Sequence, residues 1–216
     1  MRLVVRERAS KKTRVARERD EEARLLFQEQ IQQEEFEKLV FLDECGFASN
    51  LCRLYGWAIG GARCVETSAH TRTQNRSCLG AFSLPGQSNP TGLWALWQKT
   101  GAWNGVLFEL FVVDELLPRL PPQSVLVLDN ARIHKSHSLQ EAVEAAGHRL
   151  LFLPAYSPDF NPIELVWSWL KNWVRHLAPE GDEPRKQAIR AAQAALPPQH
   201  AQGWFRKCGL TLPLSD

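Results

Sequence analysis

The sequence has no apolar run long enough to span a bilayer, which takes about 20 consecutive apolar residues. No secretory signal opens it either: Met1-Arg2-Leu3-Val4-Val5 is short and leads straight into charge. Cysteine is sparse and unpatterned. Cys45, Cys52, Cys64, Cys78 and Cys208 are odd in number and contain no C-x-x-C pair. This argues against a disulfide framework or a cysteine-built zinc site and fits a reducing, cytoplasmic setting with no membrane contact. Internal repeats and low-complexity tracts are absent. Net charge is only +2, so overall charge does not announce a nucleic-acid binder.

What is present is the composition of a soluble globular chain: 216 residues, 44% hydrophobic and 23% charged. The charge is unevenly placed. Residues 1–19 hold eight basic side chains, among them Lys11, Lys12 and Arg14, against Glu7 and Glu18. Such a run reads either as a solvated arm or as a phosphate-contacting arm. A sparse helical pattern over Glu18–Lys38 then predicts a linker helix, so residues 1–38 form arm and linker and 39–216 the domain.

From Leu39 the character changes. Leu39-Val40-Phe41-Leu42, Val125-Leu126-Val127-Leu128 and Leu150-Leu151-Phe152-Leu153 are continuous apolar runs, the signature of strands buried on both faces. Residues 54–66 and 78–84 read as further short strands. Helices are expected over about 104–117, over 138–146 behind a Ser138…Glu141 capping box, from Asn161-Pro162 onward, and over 184–195. Strands come first in an antiparallel run and then alternate with helices. The expected class is α/β: a mixed sheet, antiparallel first and parallel later, with helices on both faces.

Two apolar runs lead into aspartate, Asp43 and Asp129, and the third leads through a proline-punctuated loop to Glu164. Each has an ordinary reading: a turn residue before Gly46, an Asx-turn with Asn130, and a capping box with Asn161. Turn chemistry does not predict all three together. Buried carboxylates are costly unless paired, hydrogen-bonded or metal-bound. Three hard oxygen ligands without clustered cysteine or histidine suit Mg²⁺ or Mn²⁺. Glu44 points to the opposite strand face from Asp43, outside the ligand set and available for a salt bridge. Asp159 reads as an Asx-turn or cap. His134 reads as a structural histidine or as support for the metal shell, and Asn130 as a loop or substrate contact.

Three motifs carry a family resemblance: Phe41-Leu42-Asp43-Glu44-x-Gly46-Phe47, Val127-Leu128-Asp129-Asn130-Ala131-Arg132-x-His134 and Tyr156-Ser157-Pro158-Asp159-x-Asn161-Pro162-Ile163-Glu164. In order, with thirty-four residues between Asp129 and Glu164, they resemble the DDE transposases of the mariner-like superfamily, in its bacterial insertion-sequence branch of the six-thirty type. Tyr55-Gly56-Trp57 resembles that family's Gly-Trp strand. The resemblance implies a ribonuclease-H-like fold over roughly 38–210. It makes Asp43, Asp129 and Glu164 the catalytic and metal-binding triad, with Asp43 as bridging ligand for two Mg²⁺ ions about 4 Å apart, Mn²⁺ substituting. The implied activity is cleavage at transposon ends followed by 3′-hydroxyl strand transfer into target DNA at TA dinucleotides. The implied partners are double-stranded DNA and a second copy in a homodimer, in a bacterial cytoplasm with nucleoid association when DNA-bound.

The opening helix divides by face. Ile163, Val166, Trp167, Leu170, Trp173, Val174 and Leu177 form the expected buried stripe. Glu164, Ser168, Lys171 and Arg175 lie opposite, so Lys171 and Arg175 join Lys11, Lys12 and Arg14 as candidate DNA contacts. Relatives carry helix-turn-helix modules that read transposon ends, and the chain has no room for them before Leu39. It is therefore expected to be a catalytic half working with a separately encoded helix-turn-helix portion, or a truncated remnant. Cys45 stands where relatives have serine. Two other readings stand beside strand transfer: a ribonuclease-H-like nuclease that cuts without joining, and a non-catalytic DNA-binding remnant.

Overall fold

The computed structural model describes residues 16–49, 51, 58–65 and 75–210. Lys11, Lys12, Arg14 and Tyr55-Gly56-Trp57 lie outside them. Strand β1 (Leu39–Phe47) is central to a five-stranded sheet of order β3-β2-β1-β4-β5. β2 (Arg76–Phe82) and β3 (Leu93–Thr100) add antiparallel, and β4 (Val125–Leu128) and β5 (Arg149–Phe152) add parallel. The mixed sheet is the expected one.

Several details differ from the sequence reading. β1 does not stop at Leu42. Its parallel pairing with β4 ends at Phe41, but antiparallel pairing with β2 continues to Phe47, so Asp43 sits within the strand. β5 is an edge strand, and Leu150 and Phe152 are only partly covered. Among the described residues of 58–65 there is a 3₁₀ turn, Ile59–Gly61, and no strand. The edge strand β3 has no uniform apolar run and was not anticipated.

The sheet sorts its side chains by the period of two. Leu39, Phe41, Cys45 and Phe47 face one layer, with Phe27 and Ile31 of α1 (Glu21–Gln32), five residues of α4 (Ile163–Leu177), Ala188, Ile189 and Ala192 of α5 (Asp182–Ala194) and Phe205 of α6 (Ala201–Lys207). Val40 and Leu42 face the other layer, with Phe108 of α2 (Gly105–Leu110), the π-helical turn Phe111–Leu116 that continues it, and Leu139 and Val143 of α3 (His137–Ala145). Ser136, not Ser138, caps α3 by accepting from the Leu139 N–H. Ser138 instead donates to Glu109.

In α4, Ile163, Val166, Trp167, Leu170 and Val174 are buried as expected, but Trp173 is 38% and Leu177 49% exposed. Both sit in the last turns of the helix, and Trp173 stacks on Trp169 at 5.2 Å. The linker helix is shorter than predicted. Asp20 caps it, accepting from the Glu22 and Ala23 N–H groups. Arg24 of α1 forks the Asp159 carboxylate at 3.0 and 2.6 Å and lies 3.8 Å over the Phe160 ring. Asp159 is therefore an ion-pair partner, which its local sequence did not disclose.

Candidate active site

Asp43, Asp129 and Glu164 line one cavity of about 460 Å³, floored by the 153–161 loop. β1 supplies the first carboxylate. The residue after β4 supplies the second, and the first turn of α4 the third. The loop enters α4 tightly: Pro162 is helical (φ −60°, ψ −26°), and the Asn161 side chain accepts from the Ile163 N–H at 3.4 Å. The Asn161 N–H donates to the Pro158 carbonyl at 3.0 Å, so Glu164 does not close a capping box with it. Tyr156, 60% exposed and in left-handed backbone at φ 54°, lines the same cavity. Such conformations cost about 1–3 kcal/mol and collect at functional sites.

Each carboxylate has its own environment. Burial pushes the Asp43 carboxyl up to about 8, helped by the negative charges of Glu164 and Glu44. Trp167 Nε1 donates to Asp43 Oδ2 at 3.0 Å, a modest opposing effect. Sequence reading treated Trp167 purely as core. It is both core, at 1% exposed, and a carboxylate ligand. Its place one turn after Glu164, on a helix face adjoining the acidic site, was the available signal. Glu164 is also raised, by burial first and by Asp129, while Lys171 opposes the shift. Lys171 likewise lowers the Cys45 thiol, which burial nevertheless pushes up to about 11. Lys171 is thus close enough to Cys45 and Glu164 to influence both.

Asp129 behaves differently. Its Oδ1 accepts from the Ala131 N–H at 2.9 Å, the expected Asx-turn, and lies 2.7 Å from His134 Nδ1. The hydrogen bond from His134 holds its carboxyl below the usual carboxylate range. His134 Nε2 lies 3.0 Å from Glu44 Oε1. Burial alone would favour the neutral ring, but the flanking Asp129 and Glu44 overcome it and raise His134 to about 10. Glu44 is thus the salt-bridge residue expected of it. Asn130 Nδ2 donates to the Leu153 carbonyl at 2.5 Å and ties the β4 end to the loop. Arg175 donates to Asn172 at 2.9 Å.

The donor set consists of hard oxygens, and burial of Asp43 beside Glu164 makes ionising both carboxyls costly, a cost that a bound divalent cation would offset. Among the described residues no three His, Cys, Asp or Glu side chains are drawn tightly enough to enclose an ion. The trio therefore fits Mg²⁺ or Mn²⁺ by chemistry, spread around an open cavity in which solvent and phosphate would complete the coordination.

The mixed five-stranded sheet with helices on both faces is the ribonuclease-H-like fold, and it brings the three carboxylates to one cavity. Residues 38–183 match the DDE superfamily endonuclease family, and the chain belongs to it. No curated protein matches the sequence closely enough to count as a relative. Among solved structures, it is similar to the Mos1 transposase paired-end complex with left transposon end, at 16% identity and a TM-score of 0.56, over 95% of this chain and 68% of that one. The Mos1 mariner paired-end complex with Mn gives 16% and 0.56, over 97% and 69%. The Mos1 strand transfer complex gives 16% and 0.56, over 95% and 67%. At these identities the likeness establishes the fold. No described helix is long and apolar enough to cross a membrane.

Proposed function

We propose that the chain is the catalytic domain of a DDE transposase of the bacterial insertion-sequence type, cutting DNA at transposon ends and joining the freed 3′-hydroxyl to target DNA. The observation that carries this reading is the meeting of Asp43, Asp129 and Glu164 in one cavity from three separate elements. Family membership and the Mos1 likeness support it.

Asp43, Asp129 and Glu164 would hold Mg²⁺, with Mn²⁺ substituting. When bound, the metal supplies an activated nucleophile and charge stabilisation for the leaving oxygen. The protein's own groups do the positioning. Trp167 fixes one oxygen of Asp43, and His134 with the Ala131 N–H fixes Oδ1 of Asp129. Lys171 sets a positive charge beside Glu164, where a flanking phosphate would pass. Double-stranded DNA is the partner. A second copy of the chain and a separately encoded helix-turn-helix portion would complete the assembly and supply end recognition.

The test is a Mg²⁺-dependent cleavage assay on plasmid and oligonucleotide duplexes, with a strand-transfer assay on a pre-cleaved 3′ end. Asp43→Asn, Asp129→Asn and Glu164→Gln are each expected to lower both activities by at least about 100-fold. Cleavage without joining would instead identify a nuclease. DNA binding that survives Asp129→Ala, with no cleavage in the wild type, would identify a non-catalytic fragment.

A further inference from the structure

A second groove lies at the free edge of the sheet. It runs along the C-terminal half of β3, has a volume of about 490 Å³, and is walled by α5 on one side and by Trp103 with the start of α2 on the other. Lys99 comes from the strand, and Lys186, Arg190 and Gln193 from one face of α5, spaced i, i+4, i+7. Arg190 and Lys99 have no carboxylate partner among the described residues. Lys99 donates to the Ala102 carbonyl at 2.7 Å and lies 5.6 Å from the Trp103 ring centroid. Lys186 has only an exposed contact with Glu183 at 3.3 Å. Asp182, the other acid at the start of α5, is taken up by Arg76 and Thr100. Gln98 Oε1 and Trp103 Nε1, buried atoms of two lining residues, have no hydrogen-bond partner among the described residues.

The groove and the carboxylate cavity are linked through the register of the sheet. β3 runs in the same direction as β1, because each is antiparallel to β2. Asp43, Gly80 and Leu96 stand in one cross-strand row, and Cys45, Cys78 and Gln98 in the next. The groove therefore begins two strand spacings from Asp43, about 10 Å across the sheet.

We propose that this groove binds the phosphodiester backbone of duplex DNA flanking the position where the carboxylate site acts. The proposal rests on the transposase reading for its choice of DNA. The groove itself argues for a polyanion. Three cations, Lys99, Lys186 and Arg190, come from two different elements, and the Trp103 ring gives a flat apolar wall suited to a sugar face. An acidic peptide adding as a strand to β3 would need alternating side-chain pockets along the edge, whereas the cations here sit on both the strand and the facing helix α5.

The experiment measures anisotropy of a fluorescent duplex of about 30 base pairs in EDTA, across salt concentrations, with the full chain. Lys99→Ala/Lys186→Ala/Arg190→Ala is expected to weaken binding about tenfold near 100 mM salt and to lower the salt slope by about 2–3. Lys99→Arg/Lys186→Arg, with Arg190 kept, should bind with the wild-type affinity and slope, and Arg190→Glu alone should weaken binding without altering the melting temperature. Unchanged affinity and slope in the alanine triple variant overturn the proposal. So does a polyglutamate peptide that binds the wild type more tightly than the duplex and loses that binding in the triple variant. Cleavage is read separately in Mg²⁺. A triple variant that loses DNA binding while the wild type never cleaves removes the catalytic reading and leaves the groove standing. A wild type that cleaves, with a triple variant that binds as it does, removes the groove and leaves the catalytic reading.

Discussion

His134 Nδ1 lies 2.7 Å from Asp129 Oδ1 beneath the candidate site, with the ring fully buried. The other ring nitrogen reaches Glu44, so one imidazolium lies between two carboxylates. Removing it would leave both acids facing each other without a cation. His134→Phe is expected to cost roughly 2–4 kcal/mol near neutral pH. The cost should depend on pH. Because the folded His134 titrates at about 10, above the ordinary 6.5, its contribution is complete below 6.5 and fades as pH climbs through 10. Asp129 is shifted down, so its share is present above about 4 and is lost in acid. Urea denaturation of wild type and variant should show the widest gap between about pH 4 and 6.5, and a gap that does not narrow toward pH 10 would refute the pairing.

Asp43 has the sign of His134 and the opposite of Asp129. Its folded carboxyl titrates at about 8, well above an unfolded aspartate, so without metal it favours the folded state only while protonated. Stability from this group is full below about pH 4 and is lost as pH rises through 8. In EDTA at pH 8, Asp43→Asn should therefore melt above wild type by at least roughly 2–4 °C, with the difference closing as pH is lowered. Adding Mg²⁺ or Mn²⁺ should raise the wild-type melting temperature and leave the variant nearly unmoved. A variant less stable than wild type at every pH would show that Asp43 is a structural group instead.

Much of this arrangement was legible in sequence, for identifiable reasons. Val125–Leu128 is covered on both faces and reads as an uninterrupted apolar run. Asp129 follows it directly, so strand and site residue were found together. β3 was missed because an edge strand mixes cover and exposure, and Leu-Trp-Ala-Leu-Trp-Gln-Lys-Thr satisfies neither the buried nor the alternating template. The end of β1 was misplaced because charge interrupts its apolar run at Asp43, while its backbone goes on pairing with β2. Ser136 and Ser138 are equally good caps by type, and Glu109, distant in sequence, takes contacts from both. The Arg24–Asp159 pair spans 135 positions, and no local rule reaches that far.

Gly80 and Trp167 form a packing pair that supports the site. A Cβ on Gly80 would come within 2.7 Å of Trp167 Cη2, an atom of a rigid buried ring. Gly80→Ala should therefore cost about 1–3 kcal/mol through overpacking and push the indole away from Asp43. Trp167→Phe keeps most of the packing and removes only the Nε1 donor. It is expected to lower cleavage and divalent-ion affinity more than stability, measured by titration calorimetry alongside melting. Equal losses in all three would assign Trp167 to packing alone.

Arg24 couples α1 to the loop that delivers Glu164. Its guanidinium makes two parallel bonds to Asp159 and stacks on Phe160, a geometry that lysine does not reproduce. Arg24→Lys should behave nearly as badly as Arg24→Ala, each costing about 1–3 kcal/mol. Backbone hydrogen exchange should quicken across 157–161 before it does in β4. Full rescue by lysine would mean that charge alone, without the fork, holds the loop.

Lys171 and Arg175 lie one helical turn apart on the face of α4 that carries Glu164, and their roles should be unequal. Lys171 is close enough to Glu164 and Cys45 to shift both. Arg175 is a turn further from the site and already engages Asn172. A phosphate next to the scissile one would meet Lys171 first, and Arg175 would need to leave Asn172 to reach the following one. Lys171→Ala should weaken duplex binding several-fold and lower the salt slope by about 0.9, as expected for one phosphate contact. Arg175→Ala should do less, and the double variant should not exceed a slope change of about 1.8. Because Lys171 also sets a positive charge beside Glu164, its loss should in addition strengthen divalent-ion binding in the absence of DNA, which Arg175→Ala should leave unchanged. A double variant with wild-type affinity and slope would reduce this face to solvated charge.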